Sequence, residues 1–527
     1  MRTRSRVALA ALSGLLLFLS FPGVGAWPLA FVAWVPLLLA LEGQTVRRAA
    51  LLGFVAGFAS TLPALRFLYG TLRDQSGLGP IPCALIFVAV AAYHGLRGSV
   101  IGAVARSIPG DPGPPSLLFA AGLALSEIAI PSLFPWYFGA SVHDVPMLLQ
   151  TAELFGPVGV SVVLACSSVG VAETISSWWP DRQTKPRVIV PALAIPIVAA
   201  LWGTLRISQI DARAKASPPL AAGVVQTNLA RSDETEAERR LRDATTALVA
   251  KGATLVVWPE GALPWTLPHP LVEDTFGLLG APKTAVITGA LVQGEGPATG
   301  LLRDGATPLA KAGATAHEDA TSGEPAFDPA ASRRVTNSAL LFDAGRWVGR
   351  YDKVRLLPFS ERLPLEGALP WLRDLSPRSG RFAEGKIIAP MRLGDHAIAT
   401  FICYEDLFPE HVRALAAPAD VDLLVNVTND SWFGADEPEM HLALSKLRAV
   451  EQRKYLLRST VTGVSAIVDP VGRTLASIPE GREDTLFADV RWMRGATLYQ
   501  RAGELPWWLF VAASLGIYAY RRRSKRA

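Results

Sequence analysis

Charge is scarce in this chain: 18% of its 527 residues are Asp, Glu, Lys or Arg, while 50% are hydrophobic. That balance is too apolar for an ordinary soluble enzyme and makes a membrane protein the first expectation. Cysteine is scarcer still. Cys83, Cys166 and Cys403 lack metal-like spacing, and the first two lie inside apolar runs, so neither a disulfide framework nor a zinc site is suggested. No metal and no cofactor is expected. A large excess of one charge is also missing, since the net charge of +5 is small for this length and its basic residues fall in short loops. No nucleic-acid partner follows from that pattern; the charge speaks of topology.

What the sequence has in quantity is long apolar runs. Segments near 7–22, 27–42, 49–69, 81–105, 115–138, 150–175 and 188–207 are each roughly long enough to cross a hydrocarbon layer of about 30 Å. An eighth follows at 505–520. The first has a rival reading as a secretory signal, because Arg2, Arg4 and Arg6 precede a short apolar run and Val24, Gly25 and Ala26 resemble a cleavage site. More apolar sequence follows after only a Pro and Gly turn, which fits a tight helical hairpin better.

Basic residues fall on alternate loops: Arg2, Arg4 and Arg6, then Arg47 and Arg48, then Arg97 and Arg106, then Arg182, Lys185 and Arg187. By the positive-inside rule these loops face the cytoplasm. The tail Arg521, Arg522, Arg523, Lys525 and Arg526 lands on the same side after an eighth span, so span count and charge rule agree. The polar region from about 210 to 500 is then extracytoplasmic. Trp27, Trp136, Trp178, Trp179, Trp202, Trp507 and Trp508 stand near span ends, where amphipathic rings anchor at the headgroup level.

Within that polar region short β-like runs alternate with helical ones. Strands are expected at Gly223 to Gln226, Thr254 to Trp258, Ala285 to Thr288, Ser338 to Phe342, Ala397 to Cys403 and Asp422 to Val427, with helices near 234–250 and 439–454. This is the pattern of a layered α/β domain. Residues 292–334 are rich in Gly, Ala, Pro and acids without hydrophobic periodicity and read as a long loop.

Three strand ends each deliver a reactive side chain: Glu260, Lys353 and Cys403. The trio suits acyl transfer. A thiolate attacks, a carboxylate accepts its proton, and an ammonium stabilises the oxyanion of the tetrahedral intermediate. A thiol at the start of a helix is more acidic than a free one, although Glu405 and Asp406 oppose that effect here. Taken singly, Glu after Trp-Pro is most often a turn residue, and a Cys at a strand end most often a small buried apolar group.

Taken together and in order, Val-Val-Trp-Pro-Glu260, Tyr-Asp-Lys353 and Ile-Cys403-Tyr-Glu405 resemble the nitrilase superfamily and its Glu, Lys, Cys triad. Seven spans before and one after such a domain resemble the apolipoprotein N-acyltransferase family over nearly the whole chain. Further likeness lies in Leu19-Ser20-Phe21-Pro22, Phe134-Pro135-Trp136, Val225-Gln226-Thr227-Asn228, Pro358-Phe359-Ser360-Glu361 and Asn429-Asp430-Ser431-Trp432-Phe433-Gly434. The resemblance implies an αββα sandwich in which Glu361 is an accessory carboxylate, Tyr404 and Glu405 support the nucleophile, and Asn337 takes a conserved asparagine position. Trp432 and Phe433 would lie on a mobile loop beside the substrate. Two departures stand out: the 292–334 loop is long, and Val461-Thr462-Gly463 replaces the asparagine usual after the Ser-Thr pair. The family's early tryptophan has no counterpart near Ala230 to Asp233.

The expected organisation is a transmembrane domain over 1–209, a periplasmic nitrilase-like domain over 219–495, and a last span with a basic tail over 496–527. The resemblance implies an inner-membrane enzyme that takes an acyl chain from a phospholipid onto Cys403 and passes it to the α-amine of a diacylglyceryl apolipoprotein, with ping-pong kinetics. A membrane-tethered amidase or thioesterase, or an inactive lipid-binding protein, are the other readings. Glu127 and Glu153 are costly inside a span and are candidates for lipid headgroup contact or for pairing with Arg97 or His94, of which pairing is the expectation. His143 and Asp144 read as solvated.

Overall fold

The computed structural model describes residues 2–107, 117–179, 185–229, 234–263, 266–267, 284–293, 335–363, 366–375, 379–418, 420–432 and 437–524. The expected 292–334 loop lies outside these residues beyond Gln293, as do Ala230 to Asp233, Arg182, Phe433, Lys525 and Arg526.

Among its described residues the apolar part is mostly helical and contains no strand. In chain order it comprises α1 (Thr3–Leu19), α2 (Val35–Leu41), α3 (Val46–Ala64), α4 (Arg66–Gln75), α5 (Pro80–Ala105), α6 (Leu117–Ala129), α7 (Pro146–Leu149), α8 (Ala152–Ser177) and α9 (Pro186–Ala216). Helices α3 and α5 touch along glycines, because a side chain there would collide with the opposing backbone. A Cβ on Gly53 would stand 2.0 Å from the Gly98 carbonyl oxygen, so the stripe sets how closely the two helices approach.

Eight crossings were expected. By length and composition α5, α8 and α9 are long and apolar enough to cross a membrane, and α3 with α4, bent by 52°, makes a fourth if counted as one span. The apolar helices Trp27–Leu41, Leu117–Ala129 and Leu505–Ile517 are shorter. Helix α9 turns Val190, Ile197, Val198, Leu201 and Leu205 outward, each more than half exposed. Such a stripe is costly in water and satisfied in lipid.

The second part is an α/β sandwich. Its strands are β1 (Pro219–Gln226), β2 (Leu255–Val257), β3 (Thr266–Leu267), β4 (Ala285–Gln293), β5 (Val335–Asp343), β6 (Arg346–Asp352), β7 (Met391–Leu393), β8 (His396–Ile402), β9 (Val421–Thr428), β10 (Leu456–Thr460), β11 (Ser465–Val468), β12 (Thr474–Ile478) and β13 (Asp484–Arg491). One sheet runs β13-β1-β2-β4-β5-β6, with β3 beside β4, and the other runs β12-β11-β10-β9-β8-β7. The sheets meet through β1 against β10 and β5 against β8. On the outer faces lie α10 (Glu234–Ala250), against β1, and the pair α12 (Pro409–Leu415) and α13 (Glu437–Gln452), against β8 and β10; a single turn, α11 (Leu372–Leu375), precedes β7. The four αββα layers are those expected. Because β2 and β9 are covered on both faces, every residue of each is buried, which explains their continuous apolar runs. A short α14 (Leu498–Ala502) and then α15 (Leu505–Ser524) close the chain.

The two parts are joined by buried polar contacts that the sequence reading did not anticipate. Glu153 pairs with Arg206 at 2.6 Å and with Arg453 at 2.5 Å rather than with Arg97 or His94, because the fold brings the end of α13 onto the start of α8. Arg453 also donates to Gln150 at 2.6 Å. Asp144, expected to be solvated, is exposed and in addition accepts from the buried Lys446 at 2.6 Å. Glu127 accepts from the Phe138 amide at 2.9 Å and the Ser161 hydroxyl at 3.0 Å. Trp507, expected in an interfacial belt, is buried and donates to the Phe155 carbonyl at 2.7 Å.

Candidate active site

Glu260 leaves the end of β2 through Trp258 and Pro259, and the turn is pinned by the Trp258 amide donating to the Ile287 carbonyl at 2.8 Å. Gly289 on β4 passes so close that a Cβ there would lie 2.4 Å from the Glu260 Cα; only glycine allows this approach. Asn337 sits on β5 and Lys353 directly follows β6, with the Lys353 amide donating to the Asn337 carbonyl at 2.8 Å. Antiparallel pairing of β5 with β6 thus puts both side chains over one end of the sheet.

These side chains converge. Lys353 Nζ lies 3.2 Å from Glu260 and 2.9 Å from Glu361. Asn337 Nδ2 donates to the same two carboxylates, at 2.6 Å and 2.8 Å. The other Glu361 oxygen accepts from the Leu357 amide at 2.7 Å. Cys403 stands at the end of β8 with φ +48°, a left-handed conformation that costs a non-glycine residue about 1 kcal/mol or more and is concentrated at working sites. Its sulfur interacts electrostatically with both Glu260 and Lys353.

Glu405 ties the nucleophile's turn to the lysine's strand. One of its oxygens accepts from the Tyr351 hydroxyl at 2.8 Å and from the Val354 and Arg355 amides at 2.7 Å and 3.0 Å, and the other from the Ile402 amide at 2.8 Å. Although burial opposes its charge, His411 and the backbone N–H groups hold its pKa below the usual carboxylate value. Tyr404 donates to the Leu133 carbonyl and packs edge-on against Phe134 and Phe408, so it spans the two parts of the molecule. Trp432 belongs to a short 3-10 turn, Asp430–Trp432.

Protonation follows from burial. Burial raises the pKa of Glu260, Glu361 adds to the rise, and Lys353 and Asn337 oppose it. Burial works against the Lys353 charge, but Glu260 and Glu361 outweigh it and hold the ammonium well above its ordinary range. For Cys403, burial first and Glu260 next push the thiol well up against the pull of Lys353. The helix-terminus acidification weighed from sequence is therefore overturned. A five-residue 3-10 turn, Cys403–Leu407, carries little dipole, and desolvation dominates.

Sequence reasoning missed a buried network behind the nucleophile. His441 places its two ring nitrogens 3.0 Å from Asp430 and 2.7 Å from Asp406. Arg458 contacts the same two carboxylates, each at 3.0 Å. Asp430 stood in a recognisable stretch, but a lone histidine on α13 carried no signal. Asp430, Glu437 and His441 offer donor atoms close enough for a metal ion. Burial and Arg458 lower the His441 pKa, yet Asp406, Asp430 and Glu437 prevail and raise it to about 10.

An apolar cavity of about 160 Å³ opens beside the site, walled by Leu68 and Leu72 of α4 and by Leu357, Phe359 and Leu363 around Glu361. Acid, amine and thiol next to apolar space can support acyl transfer through a thioester.

Residues 221–497 match the family model for carbon-nitrogen hydrolase, and residues 13–170 that for the apolipoprotein N-acyltransferase N-terminal domain. The apolipoprotein N-acyltransferase of Geobacter metallireducens is 31% identical over 98% of this chain and 95% of its own length. That of Bradyrhizobium diazoefficiens is 28% identical over 99% and 96%. Among solved structures, an amidase from Nesterenkonia sp. aligns with 55% of this chain and 94% of its own at 18% identity and a TM-score of 0.36.

Proposed function

Since the chain belongs to the apolipoprotein N-acyltransferase family, within the carbon-nitrogen hydrolases, we propose a reaction path and a membrane setting for its activity. The chain is an acyltransferase that moves a fatty acyl group onto the N-terminus of lipoproteins.

In the proposed path the Cys403 thiol gives its proton to Glu260 as the sulfur attacks an ester carbonyl of a phospholipid, and Lys353 faces the oxyanion that forms. The C–O ester bond breaks. Glu260 returns the proton to the departing lysophospholipid oxygen, leaving the acyl group as a thioester on Cys403. The α-amine of a diacylglyceryl-cysteine at a lipoprotein N-terminus then attacks the thioester, an amide forms, and the proton returns to sulfur. Asn337 and Glu361 position Glu260 and Lys353, while Tyr404 and Glu405 hold the nucleophile's turn.

The proposed setting is the inner membrane, crossed eight times, with residues 1–209 in the bilayer, residues 219–495 on its periplasmic face and residues 496–527 returning the chain to the cytoplasm. What carries this reading is the convergence of Glu260, Lys353 and Cys403 beside an apolar cavity shared with α4. Two bilayer-borne substrates give a physical reason for the helices; a soluble amide would need none. Mass spectrometry of the protein incubated with phospholipid tests it. A fatty acyl mass on Cys403 that is discharged by a diacylglyceryl peptide, with triacylated peptide appearing, is the expected result; free fatty acid alone would mean hydrolysis, and an unmodified Cys403 would refute the path.

A further inference from the structure

Helix α6 stops at Ala129, and residues 130–137 are non-helical before the 3-10 turn Phe138–Val142. Pro131 and Pro135 account for the break, since neither has an N–H to give a helix. An open backbone packed among apolar helices leaves carbonyl groups that need donors from elsewhere. The segment sits where precision matters. Leu133 and Phe134 line the apolar cavity beside Glu361, and the Phe134 ring lies edge-on to both Phe67 of α4 and Tyr404, the residue after Cys403.

One turn of α5 reaches across to this segment. The Tyr93 hydroxyl donates to the Pro131 carbonyl at 2.6 Å, His94 Nδ1 lies 3.1 Å from the Ser132 hydroxyl, and Arg97 Nη1 donates to the Trp136 carbonyl at 2.9 Å. Arg97 is itself fixed, because its Nε donates to the Ser126 carbonyl at 3.1 Å near the end of α6. Glu127 accepts from the Phe138 amide at 2.9 Å and so pins the far end. The Leu133 carbonyl is the exception. Its donor, the Tyr404 hydroxyl, comes from the α/β sandwich. A Cβ on Gly98 of α5 would stand 2.1 Å from the Gly53 carbonyl oxygen of α3, so the turn that carries Tyr93, His94 and Arg97 rests on a close-packed helix pair.

We propose that Tyr93, His94 and Arg97 are positioning residues for acyl transfer: they hold residues 131–136 so that the Leu133 carbonyl captures Tyr404 and thereby fixes the turn that carries Cys403. The inference rests on the reading of Cys403 as the nucleophile. Successive residues of that turn are tied to different parts of the molecule, Glu405 to the Val354 and Arg355 amides beyond β6, and Tyr404 to the helical part through Leu133. Cys403, at φ +48°, keeps its left-handed conformation only while its surroundings impose it. A shift of the segment therefore reaches the sulfur, where a misplacement of about 1 Å can cost ~10²-fold in rate.

A double-mutant cycle on the full-length protein tests it, read as turnover from phospholipid to diacylglyceryl peptide. Arg97→Gln should lower turnover about tenfold, the scale of one lost charged hydrogen bond, and Arg97→Lys should restore most of it. Tyr93→Phe, the milder change, should lower it about threefold. In a Tyr404→Phe background, where the link to Leu133 is already cut, both effects should shrink to less than about twofold. Ser13→Ala removes a buried hydrogen bond to the Ala33 carbonyl that the segment does not share; it should lower the unfolding temperature and leave turnover alone in both backgrounds. Fluorine NMR of a fluorotyrosine at the Tyr404 position gives a readout without turnover: its resonance should move in Arg97→Gln and Tyr93→Phe and stay in Ser13→Ala. Equal losses in the two backgrounds, or a resonance that no α5 variant moves, would overturn the clamp while leaving the reaction path intact. A Cys403 that stays unacylated in the working wild type would remove path and clamp together.

Discussion

The side-chain amide of Asn337 stands 2.6 Å from Glu260 and 2.8 Å from Glu361, so one Nδ2 group serves both carboxylates that flank Lys353. Asn337→Leu leaves two buried carboxylates short of a donor. Each charged hydrogen bond is worth about 1.5–3 kcal/mol, so acyl-enzyme formation should slow by roughly ten- to a hundredfold. Because Asn337 opposes the rise of the Glu260 pKa, the acid limb of the rate profile should also move to higher pH, which rapid-quench measurement of the adduct would detect.

In the proposed path Glu260 must be ionised to take the thiol proton, and its pKa is raised by burial. Acylation by the wild type should therefore fall off with acidity at a pH above the ordinary glutamate value. Glu260→Gln should lose about 10²–10⁴-fold in rate, the usual worth of a general base, together with that acid limb. Retention of both rate and limb would exclude Glu260 as the base.

Gly289 offers a test that leaves every titrating group intact. Gly289→Ala forces a Cβ to 2.4 Å from the Glu260 Cα, and backbone must move. Misplacement by about 1 Å can cost ~10²-fold, so the acylation rate should collapse while Lys353 and Cys403 remain. Gly252, whose Cβ would meet nothing within 4 Å, has φ +96° but lies away from the site; Gly252→Ala should cost stability and spare the rate.

His441 links stability to pH. Its folded pKa of about 10 exceeds the ordinary histidine value of 6.5, so between those values the native state binds more protons than the unfolded one. Stability from this group is complete below pH 6.5 and is lost as pH rises toward 10. Glu437, raised by burial to about 8, slopes the same way from its ordinary value upward. The thermal midpoint of the wild type should fall across pH 6.5–10, and that of His441→Gln should start lower and fall less. A flat wild-type profile would show that the imidazolium is absent.

Glu153 and Arg453 connect the two parts of the chain, with side chains 6% and 2% exposed. Glu153→Gln strands a buried guanidinium, a change of about 3–5 kcal/mol when a buried pair loses one member. The expected outcome is a lower unfolding temperature and earlier proteolysis near the junction. A milder effect would mean that Gln150, also bonded to Arg453, satisfies it alone.

Much was legible from the residues. The ends of β2 and β8 could be found because strands covered on both faces read as short apolar runs, and each run stops where its polar side chain begins; the edge strand β6, with Arg346, Arg350 and Asp352 in seven residues, has no such run, and Lys353 was found through the resemblance of Tyr-Asp-Lys353. The charged helix at 234–250 was equally plain, since an amphipathic period shows in one segment alone. The helical crossings were less so: Pro63, the bend between α3 and α4, and the short α2 and α6 break apolar runs that composition alone reads as whole spans.

The sequence by itself determined which groups meet, because the identity and order of Glu260, Lys353 and Cys403 are written in local patterns around strand ends. Only the tertiary structure decided in what state they meet. Desolvation and the field of Glu260 reverse the acidity assigned to Cys403, and the partners of Glu153, Asp144 and His441 come from elements far away in the chain. Burial and long-range charge depend on what packs around a residue, and no window of neighbouring letters contains that.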